Sequence, residues 1–105
     1  MITASFQKNG ERLLAFSLSG HAGYADAGQD IVCASITSAV QLTANAITEQ
    51  FAEAAKVTVG ENRVSLCLGP DAKKESVLLL RALLEHLTIL SEEFENTIQI
   101  IISEV

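Results

Sequence analysis

Tryptophan is absent from this 105-residue chain, proline occurs once, and aromatic side chains make up 5%. A core must therefore be built mainly from aliphatic side chains, and with 49% apolar residues there is enough of them to argue against extensive disorder. Basic residues are also scarce. Seven Lys and Arg stand against thirteen Asp and Glu, for a net charge of -6. That balance disfavours nonspecific binding to a phosphate backbone, makes direct nucleic-acid binding unlikely, and suits a basic protein or peptide as partner. The two cysteines, Cys33 and Cys67, are too few for a disulfide framework and form no Cys-x-x-Cys pair, so neither a stapled secreted fold nor a thiol-redox motif is indicated. The chain opens with no charged segment, apolar segment and small-residue cleavage pattern, and no run of about 18 apolar residues that could span a membrane is expected. The expectation is a soluble cytoplasmic protein of one domain, residues 1–105, with no membrane partner.

Hydropathy periodicity divides that domain into seven elements. Ile2, Ala4 and Phe6 alternate before Asn9-Gly10, and Leu14, Phe16 and Leu18 alternate after it, which predicts a hairpin with one face buried. From Asp30 to Phe51 the period changes: Ile36, Val40, Ala44, Ile47 and Phe51 recur at three or four residues, as on one stripe of a helix. Asp30 has the side chain of an N-cap, which would put Cys33 in the first helical turn. A second hairpin is expected from Val57 and Val59, then Val64, Leu66 and Leu68, leaving Cys67 on the opposite side of its strand. A second helix follows over Asp71–Leu90, with Asp71 as its cap after Pro70 and Val77, Leu80, Leu84 and Leu87 as its stripe. Ile98, Ile100 and Ile102 make a last strand. The order ββαββαβ predicts an α+β fold, a small antiparallel or mixed sheet with both helices on one face.

The chemistry concentrates between Gly20 and Cys33, where the chain reads Gly-His-Ala-Gly-Tyr-Ala-Asp-Ala-Gly-Gln-Asp-Ile-Val-Cys. A thiolate is a strong nucleophile, but an ordinary cysteine is mostly protonated near neutral pH. A histidine brought close by a glycine-rich loop can take that proton and later return it to a departing amine. His21 and Cys33 are suited to those roles, with oxyanion donors expected among the backbone N–H groups of residues 31–34. Asp30 serves either to support His21 or as the cap. The alternative for Cys33 is a buried small hydrophobe, for His21 a loop hydrogen-bond donor, and for Tyr24, Ile31 and Val32 simple packing.

In this stretch the sequence resembles the ribosomal-processing cysteine protease (Prp) family, through Gly20, His21, Ala22, Tyr24, Ala25, Gly28, Asp30, Ile31, Val32, Cys33 and Ala34. The resemblance implies a homodimeric α+β protease in which His21 is the base and Cys33 the nucleophile. It implies a substrate too: the N-terminal extension of a large-subunit ribosomal protein, bound as an extended apolar peptide and cut after Phe. Gly20, Tyr24, Gly28, Ile31 and Val32 are the candidate substrate contacts. The family often places Ser where this chain has Thr37, which keeps the hydroxyl and adds a methyl. Thr37 either supports the site or bonds an upstream helical carbonyl.

No cofactor is needed for such chemistry. Cys33, Cys67, His21 and His86 match no compact zinc spacing, so no metal is expected. The competing class is a noncatalytic ribosome- or RNA-binding module, since Gly20-His21-Ala22-Gly23 also reads as a GxxG loop.

Overall fold

The computed structural model describes residues 1–20 and 27–105, with 27–30 described as backbone only. Its elements are β1 (Ile2–Asn9), β2 (Arg12–Ser19), α1 (Ala27–Asn45, continued by a π-helical turn over Ala46–Gln50), β3 (Lys56–Gly60), β4 (Arg63–Cys67), α2 (Lys74–Glu93) and β5 (Ile98–Glu104). The expected order holds. The five strands form one mixed sheet in the order β3-β4-β2-β1-β5, with β5 parallel to β1 and every other pair antiparallel. Both helices lie on one face.

Local sequence explains most of this. Gly10 takes φ +63° at the first position of the β1–β2 turn, where a type II′ hairpin calls for glycine. Ile2, Ala4 and Phe6 then face inward, with Phe6 opposite Phe16 and their rings 6.2 Å apart. A bulge between Gln7 and Lys8 shifts the register of β2, so Leu13 is buried and Leu14 is only half-buried. Strict alternation from Leu14 had pointed to the wrong one of that pair.

The helices start elsewhere than their aspartates suggest. Helix α1 begins at Ala27, three residues before Asp30, which is therefore inside the helix and not its cap. Residues such as Ala27 and Gln29 are good helix formers and carry the start upstream. At the head of α2, Gly69-Pro70-Asp71-Ala72 forms a turn closed by Ala72 N–H donating to Gly69 O at 3.1 Å. Arg12 pins that turn by donating to the carbonyls of Pro70 (3.0 Å) and Ala72 (2.7 Å). The cap comes from a distant residue: Glu53 Oε1 accepts from Lys73 N–H at 2.8 Å and from the buried Ser76 hydroxyl at 2.9 Å. These bonds, the Lys73 backbone contact first, hold the Glu53 carboxyl below its ordinary pKa, and the nearby Lys73 charge adds to them.

Val32, Ile36, Val40 and Ile47 from the first helical segment and Val77, Leu80, Leu83, Leu87 and Leu90 from α2 complete the core. Ile31–Gln50 is also long and apolar enough to cross a membrane by length and composition, with a mean hydropathy of 1.4, against the expectation of no such run. Its inward stripe is used by the core, as expected of an amphipathic helix on a sheet.

Candidate active site

Cys33 is the seventh residue of α1, half-buried against the core. It lies in the second turn, beyond the first turn where the helix dipole acts most strongly. That position also corrects the expected oxyanion donors. With 27–30 already helical, the N–H groups of 31–34 meet the carbonyls four residues back and belong to the helical ladder.

The thiol faces an open groove of about 480 Å³. One wall is α1, which presents Cys33, Thr37 and Gln41 at successive turns along one face. The opposite wall is the β3–β4 hairpin, with Val59, Gly60, Asn62, Arg63 and Val64. Ile2, Leu18, Ser19 and Gly20 form the end and floor. Among the described lining residues Arg63 is the one charged residue, so the groove is free of carboxylates and mainly apolar despite the acidic balance of the whole chain.

Gly20 is held by two independent constraints. Its φ is +86°, and a Cβ there would come 2.6 Å from the Met1 carbonyl oxygen. Its N–H donates to Asn62 O at 3.0 Å, tying the end of β2 to the β3–β4 turn. That turn places Asn62 at φ +56°. The backbone that enters His21 is thus fastened to the same hairpin that forms the far wall. His21 and Tyr24 themselves lie outside the described residues.

Thr37 differs from the other threonines of its helical segment. On the same helical segment Thr43 and Thr48 donate to the carbonyls four residues back, at 2.8 and 2.9 Å. The Thr37 hydroxyl makes no such bond among the described residues and stands exposed in the groove. Of the other anticipated contacts, Val32 is fully buried in the core and Ile31 is exposed outside the groove lining. Gly28 and Asp30 occupy the first turn of α1. Gln41, Val59, Asn62 and Arg63 were not foreseen. The 33/37/41 spacing would have flagged Gln41, while the hairpin residues become neighbours only through the strand order.

Cys67 is exposed on the opposite, uncovered face of the sheet, as the alternation of β4 required. Both cysteines are free. A Cys33–Cys67 bridge would have to cross the sheet.

With this geometry in place, comparison with known proteins is decisive. A model of the cysteine protease Prp family matches residues 1–99. The chain belongs to the Prp cysteine protease family. It is similar to the ribosomal processing cysteine protease Prp of Bacillus subtilis (strain 168), at 25% identity over 95% of this chain and 96% of the relative. Among solved structures it resembles the essential ribosomal processing protease Prp of Staphylococcus aureus in complex with a covalently linked product peptide. There the TM-score is 0.87 and the identity 25%, covering 97% of this chain and 99% of the other. SMU.848 from Streptococcus mutans shares the fold with a TM-score of 0.89 at 24% identity, over 100% of this chain and 96% of its own. Family membership makes this Prp-family chain a cysteine protease and displaces the noncatalytic binding module.

Proposed function

We propose that this protein is the cysteine endopeptidase that removes the N-terminal extension of a basic large-subunit ribosomal protein, cutting after Phe through a Cys33/His21 dyad. The observation that carries the reading is the shared groove. Cys33 and Gly20, the residue before His21, line one apolar trough in a chain of a peptidase family. His21 takes the proton from Cys33 Sγ, and the thiolate adds to the carbonyl carbon of the scissile bond. The tetrahedral intermediate collapses with cleavage of the C–N bond, and the imidazolium protonates the departing amine. Water, deprotonated by His21, then hydrolyses the thioester and returns the thiol. With the helical N–H groups of 31–34 engaged, Thr37 supports the oxyanion through its hydroxyl, which stands exposed in the groove.

A Phe side chain suits the volume and mainly apolar lining of the groove. In this reading Tyr24 and Gly28 contact the peptide as well. Asp30 supports His21. The enzyme works in the cytoplasm, where two free thiols remain reduced. It acts as a homodimer: Ile31, Leu42, Leu78 and Ile89 leave large apolar side chains exposed on the helices, surface that a second copy would cover.

The test is mass-resolved cleavage of bacterial cytoplasmic peptides, including ribosomal-protein N-terminal extensions, by the wild type, Cys33→Ser and His21→Ala. One defined cut after Phe, lost at least about 10³-fold in both variants, is the expected result. Turnover retained by Cys33→Ser would remove Cys33 from the nucleophile role.

A further inference from the structure

We infer that the substrate is held by strand addition: the extended peptide pairs, backbone to backbone, with the free edge of β3 and becomes a sixth strand beside the groove. This inference deepens the protease reading and rests on it. A sheet edge carries a row of N–H and C=O groups without partners, and proteins commonly blunt such edges with proline, bulges, inward charges or a covering helix. Beside the groove β3 has none of these devices, its edge lysine lying at the far end. It is an edge strand whose five residues are all exposed, its register with β4 is unbroken, and its one charge, Lys56, sits at the end remote from the groove. No strand pairs with its outer side among the described residues.

The side chains of β3 point to the same occupant. Val57 and Val59 are opposite Leu66 and Val64, so they project to the helix side of the sheet. Leu66 there is 1% exposed, yet Val57 is 41% and Val59 76% exposed, because α1 does not reach over the last strand. Val59 is at once on the free edge and in the wall facing Cys33 and Thr37. A peptide laid on this edge would direct alternate side chains into the trough, where apolar groups meet Val59 and Val64, and the others to solvent. The groove lining offers no carboxylate to pair with Lys or Arg in the inward positions, and its one charged residue, Arg63, is basic. The basic residues of the substrate then lie outside the seated segment, and the acidic balance acts elsewhere on the surface. The opposite edge offers no equivalent, since β5 does not contribute to the groove.

The experiment uses a ribosomal-protein extension peptide that the wild type cuts, bound to intact Cys33→Ser protein, with amide hydrogen exchange read by mass spectrometry. Exchange over residues 56–60 should slow by about fivefold or more on binding, while residues 98–104 stay unchanged. Single N-methyl groups placed along the peptide should weaken binding about five- to tenfold at every second position, the worth of one backbone hydrogen bond. Val59→Asp should lower kcat/KM, chiefly through a higher KM. A bound peptide that leaves exchange over 56–60 unaltered and shows no period-two N-methyl effect would overturn the pairing alone. A wild type that cuts none of the extension peptides would overturn the protease reading and the pairing together.

Discussion

Helices α1 and α2 cover the same face of one sheet in different ways. Helix α2 packs on β2 and β5 and buries Ser76, Val77, Leu80, Leu83, Leu87 and Leu90. Helix α1 buries Val32, Ile36 and Val40 but leaves a trough between itself and the β3–β4 hairpin. One half of the molecule is filled and the other is held open. The filled half supplies stability. The open half keeps the half-buried Cys33 thiol and the exposed Thr37 side chain in one groove, with the β3–β4 hairpin as its far wall.

The division can be broken from either side. In the filled half, Leu87→Ala removes a fully buried side chain and should cost about 2–5 kcal/mol in urea unfolding. Its kcat/KM per folded molecule should stay near that of the wild type. A large loss of activity with the fold intact would show that the halves are coupled.

In the open half, Gly20→Ala forces a side chain onto a left-handed backbone and against the Met1 carbonyl, at a cost of about 1–3 kcal/mol. It should also loosen the Gly20–Asn62 link and lower kcat by more than the lost stability explains. The check is kcat measured well below the unfolding temperature. Unaltered kcat would make Gly20 a matter of folding only.

The smallest effect belongs to the joint between the two regions. The Glu53 carboxyl has a lowered pKa in the folded state, so its contribution is full above its ordinary, unfolded value and fades as pH falls through the lower folded value. Glu53→Gln should therefore be less stable than the wild type near neutral pH. The two should converge in acid. Urea midpoints from pH 7 downward test this, and a constant difference across that range would contradict it.

How much of this was legible beforehand follows the same contrast. Period-two runs and Asn9-Gly10 placed the hairpins, and the three-to-four spacing of Ile36, Val40 and Ile47 placed the first helix, because burial of one face leaves its period in the sequence. Leu13 was hidden by a bulge, which has no periodic signature. Asp30 and Asp71 have the chemistry of caps, but one lies inside a helix and the other in a turn. The actual cap of α2 is Glu53, twenty residues before Lys73 in the chain. Of the groove, Cys33 and Thr37 were visible through the family motif. Its second wall was not, because Val59, Asn62 and Arg63 reach Cys33 only once β3 and β4 are placed beside β2.

The two cysteines offer the most direct test of the central claim, that the open groove activates one thiol for chemistry. Cys67 is exposed and Cys33 only half-buried, so accessibility alone favours alkylation of Cys67. The measurement is the rate of iodoacetamide labelling at each cysteine at neutral pH, read by peptide mapping in the wild type and in His21→Ala. Activation by His21 predicts that Cys33 reacts about tenfold faster than Cys67 in the wild type and loses that advantage in the variant. Faster labelling of Cys67 in both proteins, with Cys33 indifferent to His21, would contradict the account.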